Sequence, residues 1–416
     1  MLPNKGNLSA PQPYAVAYVS SVVPDIPEFH TAALHNNTNT FMHNVLFGLR
    51  ADPCAEVVAL SAVSVPSFPR DPRMLVRTRQ LDIAPGIMAT GVPFVNVTPL
   101  KQVSIGLSML WHLIKWGLRT KRREYRVVVS FNISVPPLAF TLAAARLMHA
   151  KTIVYICDVN IPGHTVPGSL LYRIDAWLET GLLKFVDGCI VITDRIATDY
   201  LPGRPYIRMD GGVSRSLIEE SGRLLAARHP DESRFTIAAT GSLSEHNGIC
   251  QILAAFSLLQ GSHYRLILAG RGPLESAIAE AARHDPRIEF KGFLELQDLL
   301  ALHAEADVLV SMRLTQSVNT AYAFPSKTFE YLLSGVPVIT TATGHMKAEY
   351  GPYSAVLEDE NPRALAALLR SIECLGPAER ARIGLVARQF IIDCKTWELQ
   401  HSRIAEYVGS TAVTRN

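Results

Sequence analysis

The amino-acid sequence predicts an α/β protein with two doubly wound domains, and three observations support this fold class. Short runs rich in Val and Ile alternate with helical stretches, which is typical of a parallel sheet covered on both faces. The alternation occurs twice, on either side of a charged stretch at 213–233. The 416 residues also exceed what one hydrophobic core usually organises.

The predicted elements follow one another in the same order in both halves. In the first half, strands are predicted at 15–23, 57–65, 93–97, 126–131, 152–157, 188–193 and 205–209. Helices are predicted between them at 38–49, 103–122, 136–148, 167–184 and 194–200. In the second half, strands are predicted at 235–240, 264–269, 288–291, 308–311, 336–340 and 355–357. Helices are predicted there at 248–259, 274–283, 296–305, 326–334 and 362–373.

This order divides the chain into domains. We predict one domain at 1–215, a second at 216–386, and a C-terminal helix at 387–416 that packs back on the first domain. Doubly wound domains bind ligands at the carboxyl ends of their strands. If the two domains face one another, the ligand site is a central cleft between them.

Composition narrows the class of protein. A hydrophobic content of 48% with 19% charged residues is typical of a globular chain. The N-terminus lacks a signal layout, no apolar run is long enough to span a bilayer, and the six scattered cysteines favour a reducing cytoplasm. Residues 1–213 hold 20 basic and 14 acidic residues, against 20 and 23 in the rest. The first half therefore favours anionic partners, but too mildly to indicate nucleic acid.

The stretch from Phe324 to Val338 carries the strongest functional signal. It reads as a short helix that starts with Pro-Ser-Lys, ends at Gly335 and leads directly into a buried strand. The N–H groups of a first helical turn favour anions, and here they lie beside Ser326 and Lys327. Glu330 follows one turn later and offers a carboxylate to a pair of hydroxyls. A phosphate next to hydroxyls indicates a nucleotide sugar.

Two glycine-containing loops strengthen this signal. The first, at 240–248, contains Gly241, Ser242 and Asn247, and it connects a strand to a helix. The second, at 269–273, is Ala-Gly-Arg-Gly-Pro and includes Gly270, Arg271 and Gly272. Each loop by itself indicates no more than a turn. Both follow strands of the same predicted domain as the Pro-Ser-Lys helix, which makes a shared ligand site the better interpretation.

With these pieces in order, residues 235–341 resemble the donor-nucleotide domain of retaining GT-B glycosyltransferases of family 4 (glycosyltransferase group 1), in a branch with a Phe-Pro-Ser-Lys…Glu-Tyr motif. Further matching pieces are Phe-Lys-Gly-Phe at 290–293 and Ala-Asp-Val-Leu-Val at 306–310. The resemblance implies a hexosyltransferase-type enzyme that moves a sugar from a nucleoside diphosphate sugar with retention, without a metal or other cofactor. In residues 1–213 the resemblance is limited to architecture.

The resemblance also implies residue roles. Lys327 would stabilise the departing diphosphate and act as a catalytic residue, and Glu330 would hold the ribose. The donor nucleotide would be bound by Gly241, Ser242, Asn247, Gly270, Arg271, Gly272, Ser326, Lys327 and Glu330.

Two departures from the family pattern stand out. Tyr322 occupies the place of the motif's first glutamate, so the donor sugar is expected to contact Asn319, Thr320 or Tyr322. Ser242 and Asn247 stand where the family usually has an Arg and a Lys, which leaves Lys327 and Arg271 as the main cations.

The first domain offers two candidate sites with open alternatives. Asp158 follows the predicted strand at 152–157. It either acts on the acceptor, by orienting it or by accepting its proton, or caps the next turn. Asn36, Asn37 and Thr38 follow the first strand and either contact the acceptor or cap a helix.

The helix within 103–123 carries Trp111, Trp116 and several Leu residues, followed by Arg119, Lys121 and Arg122. This pattern fits an anionic membrane surface, although a core-facing helix with a solvated basic end remains an alternative. With the family resemblance, it predicts an enzyme that is cytoplasmic or peripheral on the inner face of the membrane. It would build surface or extracellular polysaccharide on a glycan or lipid-linked acceptor.

Two other functions remain open. A nucleotide-sugar epimerase with the same fold would need no acceptor. A non-catalytic binding subunit would fit the absence of Glu at 322 and of Lys at 247. The sequence does not specify the sugar, the base, the acceptor or the oligomeric state.

Overall fold

The chain forms two compact α/β units in a computed structural model, which describes residues 12–29, 36–132, 134–161, 168–229, 231, 233–316 and 319–414. Unit 1 comprises Met1–Met209 with Glu398–Asn416, and unit 2 comprises Asp210–Trp397. Strands alternate with helices in both units, and the sheets are largely parallel, so the predicted fold class is confirmed. The domain boundaries given above stay predictions.

Unit 1 is built on an eight-stranded sheet in the order β10-β9-β8-β7-β1-β2-β5-β4, with a small separate pair of β3 and β6. The strands are β1 Tyr14–Ser20, β2 Ala55–Ser61, β3 Leu75–Val76, β4 Arg79–Ala84, β5 Ile87–Gly91, β6 Phe94–Val95, β7 Tyr125–Phe131, β8 Lys151–Ile156, β9 Gly188–Val191 and β10 Tyr206–Arg208. The helices of its first segment are α1 Asn36–Arg50, α2 Leu100–Arg119, α3 Pro137–Leu147, α4 Leu170–Leu183 and α5 Asp194–Tyr200.

The centre of this sheet is where its strand order reverses. β1 pairs in parallel with β2 on one side and with β7 on the other. All seven residues of β1 are buried, because helices cover both faces of a parallel sheet. The crevice at the carboxyl ends of β1 and β7 is therefore a topological switch point, where doubly wound sheets bind ligands.

The sequence analysis missed one feature at the edge of the sheet. β4 and β5 form an antiparallel hairpin through a turn in which Gly86 has a φ of 75°. Arg79 and Asp82 lie within β4, and such charged residues obscured the strand pattern. Antiparallel edge strands are common on otherwise parallel sheets. The fully parallel sheet predicted for this half is thus corrected to a mixed one.

Unit 2 contains a six-stranded parallel sheet in the order β13-β12-β11-β14-β15-β16. Its strands are β11 Phe235–Ser242, β12 Tyr264–Arg271, β13 Ile288–Gly292, β14 Val308–Ser311, β15 Val338–Thr341 and β16 Ala355–Leu357. Its helices are α6 Arg215–Ala226, α7 Ile249–Ser257, α8 Glu275–His284, α9 Leu296–Glu305, α10 Thr328–Leu333, α11 Pro362–Cys374 and α12 Gly376–Cys394.

Two hydrophobic clusters cover the two faces of the unit 2 sheet. Ile237 and Ala239 of β11 lie in the cluster that includes α7 and α11. Ala238, between them, lies in the other cluster with residues of α10 and α12. Successive side chains of a strand point to opposite faces, so burial on both faces accounts for the continuous apolar runs in the sequence.

The chain ends in α13, Trp397–Val413, after a break at Lys395 and Thr396. From Glu398 onward α13 belongs to unit 1, where His401 Nε2 lies 3.0 Å from Asn44 Oδ1 and Tyr407 donates to the Pro205 carbonyl at 2.7 Å. Across the described parts of the chain, no helix combines the length and the apolar character that crossing a membrane requires.

Candidate functional site

The predicted donor residues of unit 2 lie at one edge of its sheet. The 240–248 loop begins with the last residues of β11 and the 269–273 loop with the last residues of β12, while α10 leads into β15. β11, β12, β14 and β15 run parallel, so their carboxyl ends share this edge. The fold therefore brings together segments that are up to about 90 residues apart in sequence.

Lys327 forms the centre of this group. It is the residue before α10, and its ammonium donates to the Thr240 carbonyl at 2.8 Å. A Cβ atom at Gly241 would lie 3.5 Å from the same ammonium, so the Lys327 side chain runs along the first loop. Burial lowers the pKa of Lys327 to about 8, opposed by Glu330 and assisted by Arg313. Lys327 is therefore a cation that the fold holds at an energetic cost, which is typical of functional sites.

A buried network fixes the peptide group that Lys327 contacts. The Thr240 N–H donates to the Tyr331 hydroxyl at 2.7 Å, and Thr240 Oγ1 lies 3.0 Å from His303 Nε2. Burial lowers the pKa of His303 to about 3, with a further contribution from the nearby Lys327, so the imidazole is neutral. Tyr331 and His303 were not predicted. They lie 91 and 63 residues from Thr240 in the sequence, so no local pattern reveals these contacts.

Backbone packing explains the glycine at 270. Gly270 has a φ of 140°, and a Cβ atom there would lie 1.8 Å from the Gly241 carbonyl oxygen. Only glycine allows the two loops to approach this closely. At Gly272, the N–H donates to Glu275 Oε1 at 2.7 Å. The side chain of α8 thus already satisfies a donor that the sequence analysis assigned to the nucleotide.

The polar residues of the first loop bind one another. Asn247 Nδ2 donates to the Ser242 carbonyl at 2.9 Å and to Ser244 Oγ at 3.1 Å. These bonds hold the loop in shape where the family usually places cations. Ser242 remains exposed, so its hydroxyl faces solvent beside the glycine turn.

Arg271 lies over an aromatic ring. Its guanidinium carbon is 4.5 Å from the centroid of Phe293, which follows β13 and is 55% exposed. An exposed ring next to a planar cation forms a flat surface on which an aromatic base can stack. Phe293 was part of a matching piece in the sequence, but it was not assigned a role.

The two other predicted residues of the α10 segment differ in environment. Ser326 is exposed, whereas Glu330 is half-buried in the first turn of α10. Burial raises the pKa of Glu330, while the charge of Lys327 opposes the shift. Gly335 has a φ of 77° just after the helix, the left-handed conformation predicted for the residue that ends it.

Arg313 is a further cation at this edge, and it was not predicted from the sequence. It follows β14 by two residues, and its positive charge lowers the pKa of Lys327. Its Nε is buried and has no hydrogen-bond partner among the described residues. The sequence did contain a signal for Arg313, because a basic residue two positions after a buried strand lies near the strand's carboxyl end.

The residues proposed for the donor sugar are partly described. Asn319 is exposed and its side chain accepts from the Ala321 N–H at 3.2 Å. Thr320 is buried and Tyr322 is half-buried. Residues 317 and 318 lie outside the described residues.

The predicted site residues of the first domain lie in unit 1. Asp158 is exposed in the loop after β8. Two residues further on, Asn160 Nδ2 donates at 2.9 Å to Glu179 Oε1 on α4, and burial raises the pKa of that carboxyl to about 7. Glu179 was not predicted. Residues 162–167, including His164, lie outside the described residues.

Asn36, Asn37 and Thr38 form the first turn of α1. The side chains of Asn36 and Asn37 lie outside the described residues, and Thr38 is half-buried. The next residue, Asn39, has a structural role, because its side chain bonds both the N–H and the carbonyl of Val23, at 3.2 and 3.0 Å.

A buried charged cluster joins the two ends of unit 2. Lys395 Nζ lies 3.1 Å from both oxygens of Asp210 and 2.7 Å from Glu349 Oε1, and His345 Nε2 lies 2.9 Å from Asp210 Oδ2. Burial alone would raise the pKa of Asp210, but the bond with His345 and the charge of Lys395 hold it well below its usual value.

Ligand atoms of Asp210, His345 and Glu349 lie within 4.8 Å of one another, a spacing that could suit a metal ion. The Lys395 ammonium contacts two of these three residues and already offsets part of their negative charge. We therefore interpret the cluster as structural.

Comparisons with known proteins define the class of this fold. A glycosyltransferase from Rickettsia africae ESF-5 superposes with a TM-score of 0.66 and 14% identity, over 97% of this chain and 100% of that one. Sucrose-phosphate synthase from Thermosynechococcus elongatus gives 0.62 and 16%, over 96% and 98%. HepE from Anabaena, in complex with UDP and glucose, gives 0.61 and 14%, over 95% and 99%. These similarities show the predicted GT-B fold with two Rossmann-like domains.

The sequence of the second domain points to a family. Residues 234–373 match the family model described as Glycosyl transferases group 1. This match covers the loops and the helix of the candidate site and supports a transferase enzyme, as predicted. No curated protein matches the chain.

Proposed function

We propose that this protein transfers a hexose from a nucleoside diphosphate sugar to a glycan or lipid-linked acceptor, with retention of the anomeric configuration. The observation that carries the proposal is the half-buried Lys327 ammonium at the edge where β11, β12 and α10 meet. As the bond to the sugar breaks, negative charge accumulates on the diphosphate. A cation that is already in place stabilises this charge without reorganisation.

The proposed donor contacts extend from this cation in two directions. Glu330, one turn further along α10, is placed to accept hydrogen bonds from ribose hydroxyls. The surface formed by Arg271 and Phe293 is the proposed platform for the base. The neighbour from Anabaena was solved with UDP and glucose, which supports a nucleoside diphosphate sugar as the donor here.

We propose that cations of the chain, rather than a metal, offset the diphosphate charge. Lys327 and Arg313 lie close enough for the charge of one to lower the pKa of the other. Two such cations approach each other at a cost that an anionic ligand would remove. In this respect Arg313 compensates for the uncharged Ser242 and Asn247 in the first loop.

The acceptor side of the proposal involves a membrane surface. Ile105, Met109, Leu113 and Trp116 form the buried face of α2. A second, exposed apolar stripe on the same helix consists of Leu100, Val103, Leu107, Trp111 and Leu118. These residues recur at spacings of three, four or seven, so they share one face.

Basic residues accompany this exposed stripe. The Lys115 ammonium lies 4.6 Å from the centroid of the Trp111 ring, and Arg119, Lys121 and Arg122 are exposed at the end of the helix. An apolar stripe beside basic residues fits an anionic lipid surface. We propose that the protein is cytoplasmic, binds the inner face of the cell membrane through 103–123, and builds a surface or extracellular polysaccharide there.

A donor assay tests the proposed reaction. A thermal-shift screen with UDP, GDP, ADP and TDP sugars selects the donor, since a ligand that binds the folded state raises its melting temperature. The selected donor is then incubated with and without membrane lipid extract as a source of acceptor. We expect nucleoside diphosphate to be released only when the extract is present. We also expect the new glycosidic bond to have the same α or β configuration as the donor.

Other outcomes of this assay identify the alternatives. Conversion of the donor to a second nucleotide sugar without an acceptor would indicate an epimerase. Nucleotide binding without turnover for every donor would indicate a binding subunit.

The membrane contact has its own test. Sedimentation with phosphatidylglycerol vesicles should exceed that with phosphatidylcholine vesicles, and Trp111→Ser should reduce it. Leu385→Ser is the matched control, because Leu385 is also exposed (52%) but lies in unit 2. Equal sedimentation of both variants would contradict a contact through α2.

A further inference from the structure

Unit 1 contains a cavity of about 310 Å³ at its topological switch point. Its walls include the residues at the carboxyl ends of three neighbouring strands: Ser20 and Ser21 at the end of β1, the segment 62–65 after β2, and Ser130 near the end of β7. The predicted acceptor residues Asp158 and Thr38 do not line it. The volume falls in the range of small-molecule sites.

The polar lining of this cavity suits a sugar. Hydroxyl groups come from Ser20, Ser21, Ser64, Ser130, Ser134 and Thr141, and amides come from Gln102 and Asn132. Such groups both donate and accept hydrogen bonds, which is the chemistry that a polyol needs.

Two of these groups are buried but unsatisfied. Thr141 is 2% exposed, yet its hydroxyl lacks a partner in the described structure, although helical threonines commonly bond a carbonyl three or four residues back. The Asn132 side-chain oxygen is also buried without a partner among the described residues, and its backbone has a φ of 61°. Buried polar groups in native proteins are nearly always paired, so these two indicate a ligand.

The cavity is also electropositive. The first turns of α2 and α3 contribute Lys101, Gln102, Pro137 and Leu138 to its wall, and neither turn contains an acidic residue. Helix N-termini carry partial positive charge. None of the described lining residues is Asp or Glu.

Lys101 supplies the one full charge of the described lining. Its ammonium donates to the carbonyl of Val65, another lining residue, at 2.5 Å. The charge of Asp71 acts on Lys101, but this carboxylate is already bonded by Arg73 at 2.9 and 2.6 Å. Burial lowers the pKa of Lys101, as expected for a cation whose charge is not fully balanced.

We propose that this cavity binds an anionic sugar unit, one that bears a phosphate or a carboxylate, as part of the acceptor. The inference rests on the proposed function for its biological meaning, but the binding itself does not require transfer. Lys101 contacts the anionic group, and Thr141 and Asn132 bond the sugar hydroxyls. A phosphate and a carboxylate would both offer anionic oxygens to Lys101. The experiment therefore uses one probe of each kind to distinguish them.

The experiment is direct binding to the full chain. Glucose 6-phosphate, glucuronate, glucose and inorganic phosphate are titrated by calorimetry. We expect one or both anionic sugars to bind at least about tenfold more tightly than glucose, the difference that one charged hydrogen bond supplies. Equal affinity for glucose would overturn the role of the charge, and equal affinity for inorganic phosphate would overturn the role of the sugar.

Variants locate the site. Lys101→Met should abolish the preference for the anionic sugar over glucose. Thr141→Val should weaken the binding of both the anionic sugar and glucose. Lys184→Met, at an exposed lysine of the same unit, is the matched control and should bind normally. If Lys101→Met fails to fold, Thr141→Val alone decides, and unchanged sugar affinity in that variant overturns the assignment.

Failure here is distinct from failure of the proposed function. Lys327→Met changes the donor site in unit 2 and should leave binding of glucose 6-phosphate unchanged. Anionic-sugar binding without any transfer activity would refute the proposed function alone. Transfer activity without anionic-sugar binding would refute this inference alone.

Discussion

Replacing Lys327 with methionine should weaken nucleoside diphosphate binding while leaving the unliganded protein about as stable as before. Methionine is similar in length and apolar, so it removes the charge and keeps most of the volume. In the unliganded protein the ammonium donates to the Thr240 carbonyl and lies 5.7 Å from the centroid of the Tyr331 ring.

Two contributions of Lys327 to the free energy of unfolding nearly cancel: the cost of its buried charge and the gain from its hydrogen bond. Burial lowers the pKa of Lys327 from 10.5 to about 8, which corresponds to a cost of at most about 3 kcal/mol for keeping it charged. Solvent contact of this half-buried group reduces that figure. Losing the charged hydrogen bond to Thr240 costs about 1.5–3 kcal/mol. The free energy of unfolding should therefore change by no more than about 1 kcal/mol.

The effect on binding has no such compensation. The variant loses one charged hydrogen bond to the diphosphate, about 1.5–3 kcal/mol, so the dissociation constant should rise about 10- to 150-fold. Calorimetry with the nucleoside diphosphate selected from UDP, GDP, ADP and TDP measures this change, and urea unfolding measures stability.

Lys347→Met is the matched control, because Lys347 is an exposed lysine of the same unit that is paired with Glu358. Unchanged affinity in Lys327→Met, or an equal loss in the control, would refute the assignment. A large loss of stability would show that Lys327 is mainly structural.

Four further predictions concern the same edge of unit 2. Affinity for the diphosphate should fall as the pH rises through about 8, where Lys327 loses its proton, and Lys327→Arg should remove this fall; calorimetry across pH 7–10 checks both. Over the same range the unliganded protein should gain stability with pH, since the unfolded chain binds the additional proton up to about 10.5, and urea titrations measure this. Arg313→Met should raise the dissociation constant about tenfold and shift the pH midpoint of Lys327 upward. Phe293→Ala should weaken nucleotide binding by about 0.5–1.5 kcal/mol and leave the binding of inorganic pyrophosphate unchanged. Competition assays with the two ligands distinguish these effects.

Local patterns were sufficient for most of unit 2. The strand predicted at 308–311 has the same bounds in the structure, because a buried parallel strand is a short apolar run that neighbouring turns delimit. The left-handed Gly335 was visible for a similar reason, since only a few residues adopt that conformation at a helix end.

Long-range pairing was not visible in the sequence. Asp210 and Lys395 are 185 residues apart, and neither has a local pattern that identifies its partner. The same holds for the His303 and Tyr331 contacts with Thr240. The β4–β5 hairpin was missed for a different reason, because the polar residues Arg79, Gln80 and Asp82 interrupt the apolar run of β4. The cavity in unit 1 depends on three strand ends that are adjacent only in the folded sheet.

The joined ends of unit 2 have a practical consequence. The Val213 N–H donates to the Lys395 carbonyl at 2.8 Å, and the Trp397 N–H donates to the Val213 carbonyl at 3.1 Å. Together with the buried Asp210 and Lys395 pair, these bonds close residues 210–397 into a loop whose start and finish meet. A segment with adjoining ends can be excised or circularly permuted with little change to its interior. Unit 2 is thus suited to expression on its own, in which the proposed roles of Lys327, Arg313 and Phe293 can be studied apart from unit 1.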